Sequence, residues 1–188
     1  MILHEQGFAN PIAQYHMATS SLYGDRHDRL EDSTVIFGTH RASKLPVAVK
    51  VVFKDIEENV CISDLPEVAI TDKLSSKYNI VRHVEHFQID EFIYLVQACM
   101  SNGDLRSFIQ ACFYLYLTEK ELKSHVKSMV QALSGMHKEG FLHNDIQPSN
   151  FLVHCHRDSR KNFTVKLGGL SRARPIGAPP LVQDTDDS

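Results

Sequence analysis

The sequence predicts an α+β fold of two lobes, a β-rich one followed by the first part of a helical one. Three observations carry that prediction. Strand signals dominate as far as Gln97, helical periodicity takes over after Asn102-Gly103, and a polar cluster begins at His143, directly behind the longest helix. Strands and helices segregated along the chain, rather than alternating, point to α+β layering with a cleft between the lobes.

The elements follow in order. Residues 1 to about 20 show no periodicity and read as an N-terminal extension. Thr34-Val35-Ile36-Phe37-Gly38 is a short β-rich run, and Val47 to Phe53 is mostly β-branched with one lysine in its middle. Asp64-Leu65-Pro66 suits a helix start, and that helical pattern runs to about Leu74. Ile80 to Gln88 and Glu91 to Gln97 flank Ile89-Asp90 as the arms of an antiparallel hairpin.

Asp104 can cap a short helix from Leu105 to about Cys112. Thr118-Glu119-Lys120-Glu121 matches a capping box, in which Thr118 and Glu121 satisfy each other's orphan backbone donors. Behind it Leu122, Val126, Met129, Val130, Leu133 and Met136 recur at helical spacing, and Gly140 fits the far end. Two short strands follow, Phe151 to His156 and Phe163 to Leu167, and the Pro-, Gly- and Asp-rich tail from Arg172 reads as loop.

Composition narrows the class of partner. A hydrophobic fraction of 43% over 188 residues suits a globular chain with its own core. The formal net charge of -3 gives no electrostatic reason to expect nucleic acid or an anionic membrane. The longest apolar run, Ala111 to Leu117, falls far below the roughly 20 residues of a membrane span, and the start carries no signal-like segment. The four cysteines form no Cys-x-x-Cys pair, so reduced thiols in a cytoplasmic or nuclear setting are expected. In His154-Cys155-His156, adjacent strand residues point to opposite faces and cannot all reach one ion.

Two features carry chemistry. Lys50 lies inside an apolar strand, where a buried ammonium needs an anionic partner. Glu67, on the helix that follows, can supply one; otherwise Lys50 snorkels to water from an edge strand. The second feature is His143-Asn144-Asp145-Ile146-Gln147-Pro148-Ser149-Asn150, in which Asp145 and Asn150 stand five apart.

Together with Val47 to Lys50, Asn79-Ile80-Val81, Tyr94-Leu95-Val96 and Asn102-Gly103-Asp104-Leu105, this loop resembles a eukaryotic protein kinase domain, with the segments in kinase order from roughly Tyr23 to Arg172. Asp145 to Asn150 is similar to the D-x-K-P-x-N loop of serine/threonine kinases. The resemblance implies a two-lobed kinase fold: an extension over 1–20, an N-lobe over about 21–97, a hinge over about 98–102, a partial C-lobe over about 103–171 and a loop tail over 172–188. It implies that Lys50 holds ATP phosphates and pairs with Glu67, that Gln97 is the gatekeeper, and that Ala98 and Met100 lie on the hinge that grips adenine. It implies that Asp145 accepts the substrate hydroxyl proton, that Asn150 binds metal, and that ATP and Mg²⁺ are the cofactors if the domain is active.

The sequence departs from the kinase pattern in five places. Asp28, Leu30 and Ser33 hold the glycine positions of the phosphate lid, which implies that the lid is lost. Asn144 and Gln147 replace the loop's arginine and lysine, so no charge is left to neutralise a transferring phosphoryl group. Val165-Lys166-Leu167-Gly168-Gly169-Leu170-Ser171-Arg172 lacks the metal-binding aspartate of D-F-G, whether read with a gap or with Gly169 in its place. The family's activation segment and later helices have no counterpart before Ser188, which would leave part of the 118–139 helix stripe without cover. Glu67 falls in the first turn of its helix rather than deeper in it.

These departures imply a pseudokinase or kinase fragment that acts through a protein partner and binds no nucleotide, or binds it weakly. One alternative is an active serine/threonine kinase with a protein substrate. Another is a small-molecule phosphotransferase of the aminoglycoside or choline kinase type, whose loop shares H-x-D-x-x-x-x-N and which Asn144 suits.

Overall fold

The structure, a computed structural model, describes residues 10–18, 33–53, 62, 65–111, 117–156 and 159–179. It divides into two compact units, Met1–Ile62 with His83–Cys99, and Ser63–Arg82 with Met100–Ser188.

The first unit is a five-stranded antiparallel sheet of β1 (Tyr15–Met17), β2 (Ser33–His40), β3 (Pro46–Phe53), β4 (His83–Ile89) and β5 (Phe92–Ala98), in the order β1-β2-β3-β5-β4. Strand pleating sorts β3 into two sets. Val47 and Val49 are buried and cluster with Tyr15 and Val96, whereas Ala48 and Lys50 fall in the alternate set and are half-buried. Lys50 sits in register between Val35 and Leu95. The β4–β5 hairpin turns through Asp90 at φ 52, a left-handed position that aspartate tolerates better than most residues.

Residues 10–18, part of the stretch without sequence periodicity, form a 3-10 turn at Pro11–Gln14 and the edge strand β1. Three residues are too few to display alternation, so the strand left no pattern. Its Tyr15 is buried and donates its hydroxyl hydrogen bond to Glu85; burial, and then that carboxylate, push the phenol well above its ordinary titration range.

The second unit holds α1 (Pro66–Leu74), α2 (Leu105–Ala111) and α3 (Glu119–Lys138), the pair β6 (Phe141–Leu142) with β9 (Arg174–Pro175), and the hairpin β7 (Phe151–His156) with β8 (Ser159–Leu167). Leu74, Ile80, Met136, Val153, Leu167 and Leu170 lie in its core. Asp104 caps α2, its carboxylate accepting from Ser107 N at 2.8 Å. The capping box at Thr118 is formed in both directions, Glu121 N to Thr118 Oγ1 at 3.3 Å and Thr118 N to Glu121 Oε2 at 2.7 Å; an N-cap of this kind contributes about 1 kcal/mol. The apolar stripe of α3 divides along its length: Met136 is buried and Leu133 packs on the core, while Leu122, Val126 and Val130 remain about half exposed. No described helix is long and apolar enough to cross a membrane.

Two local expectations change. The strand expected from Ile80 starts instead at His83. Ile80 and Val81 are drawn into the second unit's core, where Val81 N donates to Leu167 O at 2.9 Å and Leu167 N to Asn79 O at 2.8 Å. The stretch beyond Arg172 is not wholly loop, because Arg174–Pro175 pairs with Phe141–Leu142. A two-residue ladder containing proline has no sequence signature of its own.

Gly135 lies in the middle of α3, where glycine costs about 1 kcal/mol relative to alanine. Its place is explained by Tyr78: a Cβ at 135 would come inside 3.0 Å of three atoms of that ring. Overpacking of this kind costs about 1–3 kcal/mol. Gly135→Ala is therefore expected to lower stability on the order of 1 kcal/mol despite its better helix propensity, with Ser134→Ala within about 0.5 kcal/mol of the parent. Urea unfolding checks both, and a Gly135→Ala protein as stable as the Ser134→Ala control would contradict the packing of Tyr78 on the helix backbone.

Candidate functional site

The loop that follows β6 is organised by hydrogen bonds from its first residue. His143 is 1% exposed. Its Nε2 lies 2.9 Å from Gly168 O, and its Nδ1 lies 3.2 Å from Asp145 N. A carbonyl can only accept and a backbone N–H can only donate, so the ring is neutral with its proton on Nε2. Burial holds its pKa below the usual histidine range, and the Gly168 carbonyl and Asp145 charge oppose that shift.

Asn144 is exposed, with φ at 61, and its Nδ2 donates to Arg172 O at 3.0 Å. Asp145 is half-buried and accepts at both carboxylate oxygens, from Gln147 Nε2 at 2.9 Å and from Asn150 Nδ2 at 2.8 Å. Asn150 Nδ2 also donates to Asp145 O at 2.7 Å. A 3-10 turn over Pro148–Asn150 brings Asn150 back to Asp145, and proline at its first position sets the required φ in advance.

Opposite this loop, β8 ends in Gly168 and Gly169. The register pairs Phe151 with Leu167, and Gly168 N donates to Asn150 O at 2.8 Å. Gly169 adopts φ 65, ψ 45. A Cβ built on it would overlap Oδ1 and Cγ of Asn150. The carboxamide of Asn150 therefore rests where a side chain on residue 169 would begin.

Among the expected site residues, the structure brings Asp145 and Asn150 together. Lys50 stands on β3 and Ala98 ends β5, both half-buried in the first unit. Glu67 is buried in the first turn of α1, behind Pro66. Met100 is buried ahead of α2, its carbonyl accepting from Gly103 N at 3.1 Å. Asp28 and Leu30 lie outside the described residues, and Ser33 begins β2. In the sequence Asn144 and Gln147 stand as lost charges, Asn144 also suiting a small-molecule phosphotransferase; in the structure both are hydrogen-bonding members of the loop.

Residues 31–179 match the family model of the protein kinase domain. Over 157 residues the chain is 31% identical to a probable myosin light chain kinase of Dictyostelium discoideum, covering 80% of this chain and 38% of that protein. It is 27% identical to serine/threonine-protein kinase H1 of Homo sapiens over 157 residues, 81% of this chain and 35% of that one. It is 30% identical over 111 residues to an inactive serine/threonine-protein kinase of Mus musculus, 59% of this chain and 17% of the relative. The chain thus spans well under half the length of these relatives. It belongs to the protein kinase domain family, and the α+β kinase-like fold is that family's.

The family implies ATP and Mg²⁺ when a member is active. The residues present do not fit the metal. Gly169 offers no carboxylate, and Asn150 occupies the space one would need.

The neutral state of His143 makes stability depend on pH. An unfolded histidine titrates near about 6.5, and the folded value is lower. Between the two values the unfolded chain binds more protons, so stability is full above about pH 6.5 and falls as the pH drops through the folded value. His125, stacked on Phe163 and lowered by burial against the opposing pull of Glu121, contributes with the same sign. Denaturation midpoints should fall between about pH 7.5 and pH 5. The fall should be shallower in His143→Gln, and an equally steep fall in that variant would contradict a buried neutral imidazole.

Proposed function

We propose that this protein kinase domain is a pseudokinase that works through protein binding rather than phosphoryl transfer. The observation that carries this reading is the closure at residue 169: the backbone is left-handed, a side chain there would overlap Asn150, and glycine supplies no carboxylate of its own to hold Mg²⁺ across phosphates. In this reading Asp145 and Asn150 stabilise the loop they belong to. Lys50, Glu67, Ala98 and Met100 occupy former nucleotide-contact positions and support weak binding of nucleotide at most. In this reading the lobes are about 21–97 and 103–171 joined through 98–102, except that 63–82 groups with the second unit, and the site of action is the cytoplasm or the nucleus. The exposed Leu122, Val126 and Val130 on α3 support a protein partner, and the -3 charge favours neither nucleic acid nor membrane.

One alternative retains a specific observation. The contact between Asp145 and Asn150 keeps the spacing and proximity that an active serine/threonine kinase acting on protein uses.

Thermal unfolding with ATP, with and without Mg²⁺ or Mn²⁺, separates the two. A ligand at 100 times its dissociation constant adds about 2.7 kcal/mol, on the order of 5–10 °C at this chain length. The expected result is no metal-dependent rise and no phosphate transfer to protein. A rise of that size with metal, together with transfer abolished in Asp145→Asn, would establish the active reading.

Restoring the missing carboxylate should not restore metal binding. Gly169→Asp is expected to lower stability by about 1–3 kcal/mol through overpacking and to leave ATP without a metal-dependent shift. A gain of Mg²⁺-dependent stabilisation in that variant would show that Asn150 yields the space.

A further inference from the structure

The segment from Gly168 to Ile176 is tied to the catalytic loop and its approach at both ends through backbone bonds. Gly168 N donates to Asn150 O and Ile176 N to Gly140 O, each at 2.8 Å, and Leu142 pairs with Arg174. Between these anchors lies a 3-10 turn, Leu170–Arg172, closed on itself by Ala173 N to Leu170 O at 3.0 Å. Leu170 is buried in the core, but the polar backbone of the turn faces the loop at Arg172 O, where the Asn144 amide meets it.

Asn144 is suited to this contact in two respects. Its φ of 61 is a backbone state that asparagine enters with less penalty than most side-chain-bearing residues. Its carboxamide is a donor without charge, so the bond to a carbonyl does not depend on salt or on a nearby titration. We propose that Asn144 is a positioning residue, a neutral latch that holds the 170–173 turn against the catalytic loop and so keeps Gly169 seated on Asn150. The latch does not depend on whether the domain transfers phosphate.

Hydrogen exchange by mass spectrometry on the 188-residue chain tests it with two variants. Asn144→Gly keeps the left-handed backbone and removes the donor. Asn144→Asp keeps the shape and the left-handed tolerance but turns an acceptor toward Arg172 O. Loss of one ordinary hydrogen bond corresponds to about a five-fold rise in local opening. The expected result is a rise of about that size in peptides covering 168–173 in both variants, with α3 and β7 exchanging as in the parent. Unchanged exchange over 168–173 would overturn the proposal, and so would an equal rise across α3 and β7, which marks general loosening rather than a released latch.

Discussion

The carboxamide of Asn150 is where the constraints of the second unit meet. Its nitrogen donates to the backbone and carboxylate of Asp145, and its oxygen side rests against Gly169. Neither contact is adjustable by itself. The amide is oriented by two bonds of 2.7 and 2.8 Å, and the glycine is fixed by the strand that ends beside it. A side chain at 169 must therefore displace a group that also sets the position of Asp145, which couples the two halves of the site mechanically.

The hairpin explains why the halves meet at all. Pairing of Phe151 with Leu167 puts Asn150 and Gly168 across from each other, one residue beyond the ladder, and Gly168 N bonds to Asn150 O. The buried imidazole of His143 closes the same arrangement from the other side through Gly168 O. Because antiparallel register is specified by which face is buried, the buried Phe151, Val153, Val165 and Leu167 determine the chemistry of the loop from a short distance.

Much of this was legible in the sequence, and the reasons for the rest are physical. The capping box at Thr118, the β-branched run through Lys50 and the spacing from Asp145 to Asn150 are local signals, and the structure carries them as helix start, strand and contact. Ile80 read as strand because β-branched residues suit strands, yet burial in the second unit's core decided its place. That Leu122, Val126 and Val130 are the exposed members of the α3 stripe was not legible, since periodicity shows a stripe but not what covers it. Gln147 and Asn144 were legible as lost charges. Their bonds to Asp145 and Arg172 depend on a turn and a left-handed residue that no pattern of residue types specifies.

In the proposed reading, Asn150 is engaged by Asp145 and Gly169 rather than by a metal ion. Side-chain amide NMR addresses it at the atom concerned. With ATP present, addition of Mn²⁺ should leave the Asn150 carboxamide signals unbroadened relative to the amide of Gln131 on α3. Selective paramagnetic broadening of the Asn150 signals in the presence of Mn²⁺ and ATP would place a metal at that residue and contradict that reading.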